Sequence, residues 1–412
     1  MVKTRVTTPR GGRAVGSFVA GALLLVTLTD CSAPQHPAQE CMNPPLPSAP
    51  EALVLVVGVH QADPAPALPA TATPLVQATL AAGNPIKIIA VDGTPEAVPT
   101  PATTSVSRNT CTGFTTTLAH ATNAVSAAVS TAKANSNGDS LYSALVLAGN
   151  AADAAGWHAA TIVVVDSGLS DTGPLDFSKP GMTSADPVQA AAFATSSQPL
   201  KLSGFTVIFH GLGQTAPPQQ PLSPAQQKDV QQIWDQVAIH AKAKSVQVVT
   251  DVRPRTGPRT PYVVKLTPVA PIPVFTPPTR ARPNFTTLTS TDVHFETDSA
   301  ALQDPDRVAH LLAPIAAWLA ADRTHHVTLY GRTDSAGTVA HNKALSVRRA
   351  NTLKDLLLRR TIDSGEIAPS QISTIGQGEN FPGHRDDTGP GGTLNPAAAA
   401  WNRQVLVKAD IR

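Results

Sequence analysis

The stretch GRTDSAGTVAHNKALSVRRA, residues 331–350, decides how the last third of this chain folds. Gly331 and Gly337 flank Asp334 and let the backbone turn tightly beside it. Beyond the turn, Asn342, Leu345 and Arg349 stand at i, i+3 and i+7, one face of a helix predicted over 337–360. Before it, HVTLYG at 326–331 is an apolar, β-prone run that reads as a strand. Working outward, Val308, Leu311, Leu312, Ile315, Trp318 and Leu319 form a second helical stripe, and DVHFE at 292–296 reads as an opening strand. Downstream, QISTIG at 371–376 and NRQVLVK at 402–408 read as closing strands, with a long Gly/Pro-rich loop at 380–400 between them. The order β-α-β-α-β-β predicts an α+β domain over 286–412, helices layered on a mixed sheet.

The same residues carry a resemblance. The run G-x-T-D-x-x-G followed by N-x-x-L-S-x-x-R-A, together with Phe295, Ala301-Leu302, GQGE at 376–379 with Pro382, and NRQV at 402–405, resembles the OmpA-like C-terminal domain family in order and spacing. Gln404 and Leu406 stand where that family usually has an arginine and an acidic residue. The resemblance implies non-covalent binding of peptidoglycan through the zwitterionic end of diaminopimelate in the stem peptide. The residue chemistry agrees: Asp334 would accept from the ligand ammonium and Arg349 would fork onto its carboxylate. Thr333 would orient Asp334, and Asn342 and Leu345 would share the helix face with Arg349. Taken singly, Asp334 reads better as a cap of the following helix and Arg349 as half of a surface ion pair.

Upstream of this domain, nine prolines crowd residues 253–284. Such density sustains neither an interior helix nor a strand, so 251–285 reads as an extended basic linker separating two domains. Residues 51–250 alternate short apolar runs at 52–58, 86–91, 161–165, 205–210 and 246–250 with amphipathic helices. One helical stripe runs from Phe114 through Leu118, Val125 and Val129, another from Leu141 through Leu145 and Ala148. A third helix, about 224–241, opens on the capping box Ser223, Pro224, Gln226. This pattern predicts a doubly wound α/β domain.

The first strand, the helices after 113 and 139, and TIVVVDSGLSDTG at 161–173 resemble a von Willebrand factor A domain. Its metal site, D-x-S-x-S after the first strand, is replaced here by Val59-His60-Gln61-Ala62-Asp63, so the resemblance implies no standard divalent site and either a protein partner bound without metal or a scaffold role. His60, Asp139, Asp166 and His210 nevertheless fall at predicted strand ends or adjoining loops, where open α/β sheets form ligand crevices. Two imidazoles and two carboxylates suit a transition metal; helix capping by the same groups is the plainer expectation. Ser167 lacks a G-x-S-x-G context, so no nucleophile elbow is expected.

At the amino end, Lys3, Arg5, Arg10 and Arg13 precede an uncharged run of 16 residues, Ala14 to Thr29. At about 1.5 Å per residue this is shorter than the ~30 Å hydrocarbon core, so 1–31 reads as a signal or anchor segment. LTDC at 28–31 resembles a lipobox with Cys31 as the lipidated residue, although Asp30 stands where a small residue is usual. Lipidation, simple cleavage and an uncleaved anchor all stay open. Residues 32–50 form a Pro-rich tether. If Cys31 carries lipid, Cys41 and Cys111 remain as a possible disulfide in an oxidising compartment.

The balance of 31 basic and 29 acidic side chains gives a net charge of +2, too weak a field for a nucleic-acid partner. The expectation is a non-enzymatic, exported cell-envelope protein, held to the membrane by its first segment or a lipid, that binds peptidoglycan and needs no cofactor or catalytic residue. The alternative is a wall-anchored hydrolase or metal-dependent enzyme using the α/β crevice. A stator-like channel component fits less well, because it needs a full span with a buried carboxylate.

Overall fold

The computed structural model describes residues 40–99, 105–269, 271–359 and 366–412. The segment 1–31 with Cys31, and residues 32–39 of the 32–50 tether, lie outside the described residues. Among the described residues no helix is long and apolar enough to cross a membrane.

In the first domain the apolar runs become β1 (Leu53–Gly58), β2 (Ile86–Val91), β4 (Thr161–Val165), β5 (Thr206–His210) and β6 (Ser245–Val249), with the short β3 (Glu96–Val98) at one edge. The sheet order is β3-β2-β1-β4-β5-β6, all neighbours parallel except the β2–β3 pair. Alternate strand residues serve opposite faces. Leu53, Leu55 and Val57 pack on helices α1 (Thr73–Ala82) and α2 (Cys111–Thr131). Val54 and Val56 pack on α3 (Leu141–Ala155), α4 (Pro187–Ser197) and α5 (Pro224–His240). Coverage on both faces is why these strands read as continuous apolar runs rather than alternating ones. The capping box closes on α5: the Gln226 N–H donates to Ser223 Oγ at 3.3 Å and the Ser223 N–H to Gln226 Oε1 at 3.0 Å. Cys41 and Cys111 are joined by a disulfide that ties the start of α2 to the chain ahead of β1.

The proline-rich segment differs from the expected free linker. Among its described residues up to 283 it forms no helix or strand beyond the isolated Thr279–Arg282 bridge, but it is laid along the carboxyl ends of the first sheet as a strap. The Ala65 and Gly138 N–H groups donate to the Thr256 and Val263 carbonyls, the Lys265 N–H donates to Asp171 Oδ2, and Thr267 exchanges two bonds with the Gln219 side chain. Proline removes donors but leaves carbonyls, and the loops beneath supply the donors.

The second domain contains β7 (Asn284–Leu288), α6 (Pro305–Ala321), β8 (His325–Arg332), α7 (Val339–Arg359), β9 (Ile372–Gly378), α8 (Pro396–Asn402) and β10 (Val405–Ile411). Its sheet order is β7-β10-β8-β9, with β8 and β9 parallel and β10 antiparallel to both its neighbours. Two expectations need correction. The opening strand lies at 284–288, beginning in the last two residues of the expected linker, whereas 292–296 makes only the isolated Phe295–Leu302 bridge. Asp292 accepts from the Thr289 N–H and hydroxyl, which folds that stretch into a turn. The 380–400 loop also contains α8, capped by Asn395, and is organised by buried Asp387, which accepts from Ser335 and Asn402.

The two domains touch directly. Ala397 and Ala400 of α8 enter the apolar cluster of the first domain, and a Cβ on Gly181, whose φ is +101°, would lie 2.5 Å from the Ala397 carbonyl. Ser290 bridges the two sides, its hydroxyl 2.8 Å from Ser184 Oγ and 3.0 Å from the Ala400 carbonyl. An arm that keeps the domains apart is therefore not what the prolines build.

Candidate functional site

A cavity of about 540 Å³ opens between the domains and collects most of the residues singled out in the second one. Its wall includes Asp334, Asn342, Leu345 and Arg349, and also Asp186 and Gln189 of α4 from the first domain. β8 delivers Asp334 just past its last residue, and Gly337, at φ +90°, turns the chain into α7. Gly331 has a different role from the turn expected of it: a Cβ there would lie 2.0 Å from the Ser346 carbonyl, so its absence lets α7 pack onto β8.

Asp334 and Arg349 each have a partner in this cavity. Asp334 Oδ2 accepts from Arg403 at 2.7 Å and Oδ1 from the Ala336 N–H at 3.2 Å. Arg349 donates from Nε to the Ser299 carbonyl at 2.9 Å and lies 5.1 Å from the centre of the Phe295 ring. Burial, with help from Arg403, brings its pKa down to about 10, which leaves it a cation at neutral pH. Asn342 donates to Glu379 at 2.5 Å. Thr333 is buried with no partner for its hydroxyl, so it does not orient Asp334 as expected; Arg403 does that. Arg403 NH1 also donates to Gln189 Oε1 at 2.9 Å, linking the cavity to α4. Sequence reading used Arg403 only as one letter of NRQV, and nothing local connects it to a residue 69 positions away.

A second site lies at the carboxyl end of the first sheet. The strand order reverses between β1 and β4, and His60, Asp139 and Asp166 converge there with ligand atoms within 4.8 Å of one another. Asp63 joins them, its Oδ2 at 2.9 Å from His60 Nε2, with Asp139 Oδ2 at 3.4 Å from the same nitrogen. His210, expected in the same set, instead turns to Asp251 at 3.4 Å. Burial alone would lower the His60 pKa, but Asp63 and Asp139 carry it well above its ordinary value. Burial and the same two neighbours raise Asp166 well above the carboxylate range. The Ser167 hydroxyl accepts the Leu169 N–H at 3.2 Å, as in a turn rather than at a nucleophile elbow.

Known proteins bear on the second domain. Residues 294–393 match the OmpA family. Outer membrane porin F of Pseudomonas aeruginosa is 35% identical over 68 residues, which is 16% of this chain and 18% of the porin, so the chain spans only a small part of that relative's length. Among solved structures, the peptidoglycan-associated lipoprotein of Burkholderia pseudomallei is 26% identical, covering 30% of this chain and 88% of that one with a TM-score of 0.23. The cell wall anchor of the T6SS from Pseudomonas aeruginosa is 24% identical, with coverages of 32% and 82% and a TM-score of 0.24. The periplasmic domain of Helicobacter pylori MotB is 20% identical, with coverages of 31% and 75% and a TM-score of 0.25. The OmpA family match is thus confined to residues 294–393 of the second domain.

Proposed function

We propose that this chain is a non-enzymatic cell-envelope protein whose second domain holds peptidoglycan without a covalent bond, by the zwitterionic end of diaminopimelate. The observation that carries the reading is the placement of Asp334 and Arg349 in one cavity. A zwitterion needs an acceptor for its ammonium and a planar donor for its carboxylate, a few ångströms apart and shielded from water. Asp334 has acceptor capacity beyond its two present bonds, and Arg349 stays charged. Names among the similar proteins, a peptidoglycan-associated lipoprotein and a cell wall anchor, support the same direction. The first domain, which we read as doubly wound, then serves protein contacts, and the segment 1–31 serves export, with Cys31 as its lipid site.

The test is sedimentation of the full chain with purified peptidoglycan containing diaminopimelate, beside peptidoglycan with lysine at that position, which lacks the second carboxylate. Binding is expected to the first wall and to be at least tenfold weaker to the second. Arg349→Lys keeps the charge but loses the fork and is expected to bind as poorly as Arg349→Ala. The exposed neighbour Arg348→Ala is expected to bind like the parent. Equal binding to both walls defeats the diaminopimelate assignment.

A further inference from the structure

We propose that His60, Asp63, Asp139 and Asp166 form a closed site for one divalent transition-metal ion at the carboxyl end of the first sheet. The four side chains come from the loop after β1, the residue two before α3, and the end of β4. All are buried, none more than 2% exposed.

Each carboxylate is posed as a ligand. Asp63 anchors Oδ1 on the Ser167 N–H at 3.1 Å and Asp166 anchors Oδ1 on the Gly168 N–H at 2.6 Å, which leaves each Oδ2 in the cluster without a hydrogen bond. Both Asp139 oxygens and both His60 ring nitrogens are likewise buried without one. Native interiors seldom leave even a single such atom unmet, and here four neighbouring side chains carry them, with one ligand atom each from His60, Asp139 and Asp166 within 4.8 Å of one another and Asp63 Oδ2 at 2.9 Å from His60 Nε2. Gly58 shows how tight the convergence is: a Cβ there would lie 2.0 Å from Asp63 Oδ2 and 2.5 Å from Asp166 Oδ2. Two acceptor oxygens crowded together, one of them met only by the His60 ring nitrogen at 2.9 Å, are the posture of a cation site, not of a capped turn.

The charges agree. Arg253 of the strap donates from NH2 to the Pro64 and Ala65 carbonyls at 3.3 and 2.7 Å, so it closes over the cluster without bonding its carboxylates. Three carboxylates and one guanidinium leave two negative charges, which one divalent cation cancels with His60 neutral. An imidazole among carboxylates favours Zn²⁺ or Mn²⁺ over Ca²⁺ or Mg²⁺, which take oxygen ligands. The strap covers the site, so the ion is structural: it pins the β1, β4 and α3 loops together rather than activating water. The missing hydroxyl triad removes the standard ligands but not the place, and Asp63 joins the cluster only when the 59–63 turn folds back on β4.

The experiment uses the full chain stripped with EDTA, incubated separately with Zn²⁺ and Mn²⁺, desalted, and measured by elemental mass spectrometry beside a thermal melt. About one equivalent of at least one of the two ions is expected to remain, with the midpoint raised by roughly 5 °C or more. His60→Ala and the isosteric Asp139→Asn are expected to retain less than about a tenth of an equivalent. The exposed His120→Ala is expected to retain the parental amount. If the stripped parent takes up neither ion and its melt does not move, the site is closed by protons alone and the proposal is wrong. Full retention by a folded His60→Ala protein would also overturn it. Peptidoglycan sedimentation is expected to be unchanged in His60→Ala, so this proposal and the wall-binding reading fail independently.

Discussion

The two polar clefts of this molecule use the same residue types to different ends. In the cavity between the domains, Asp334 is answered by Arg403, and Arg349 by a carbonyl and an aromatic face. In the crevice of the first domain, three aspartates and a histidine face one another under a strap whose arginine is spent on carbonyls. The difference teaches that charge content alone does not identify a site. An open cleft with partnered charges can release them to an incoming zwitterion, whereas a sealed cleft with unpartnered acceptors holds something permanently or shifts its protons.

Removing what seals each domain tests the contrast most strongly. The Cys41–Cys111 bridge closes a separation of 70 residues, and on the chain-entropy model Cys111→Ser should cost about 4 kcal/mol, read as a lower denaturant midpoint for the first domain. The second domain has no such bridge among its described residues and should melt unchanged. A common shift of both transitions would mean that the domains unfold as one unit.

Removing the cation from each cleft comes next. Arg253→Ala leaves the buried carboxylates without the nearby Arg253 guanidinium and should cost on the order of 3 kcal/mol. Arg403→Ala acts in the open cavity, where its side chain is 15% exposed, and should cost only about 1 kcal/mol. Urea melts of the two variants decide it, and equal costs would erase the distinction between sealed and open clefts.

Function should move where stability does not. Asp334→Ala should weaken peptidoglycan sedimentation at least tenfold, equivalent to about 1.4 kcal/mol, while leaving the melt within about 1 kcal/mol of the parent. A variant that binds normally would show that Arg403 holds Asp334 for structure alone.

The smallest expected effect is a pH response of the domain contact. Asp229 on α5 lies 3.8 Å from His294 of the second domain, and burial raises its pKa from 3.8 to about 7, while burial also lowers His294. The docked form therefore holds a proton that the open form releases above about pH 4. Asp229 thus favours docking at pH 5 and loses that contribution as pH rises through 7, where docked Asp229 must also ionise, whereas the lowered His294 acts in the opposite sense and makes the net response small. Small-angle scattering at pH 5.5 and 8 should show the larger radius at pH 8, and Asp229→Asn should flatten the response.

Much of this was legible in the linear chain. Continuous apolar runs located five strands of the first sheet to within a residue, because strands covered on both faces cannot carry polar alternation. The 3.6-residue spacing of Asn342, Leu345 and Arg349 placed them on one face of α7. Other elements were misplaced where side chains override propensity: DVHFE has strand composition, but Asp292 bends it, and the weaker NFTTL pairs with β10 instead.

By itself the sequence determined the two folded units, the helix and strand periods, and the motif around Asp334, since each depends on neighbours within a turn or a strand. Tertiary structure alone decided that Arg403 reaches Asp334, that Asp63 replaces His210 beside His60, and that the proline-rich segment roofs a crevice instead of spanning a gap. Those contacts join residues far apart in the chain, and their cost or gain depends on which charges are buried together, a quantity that exists only once the chain has folded.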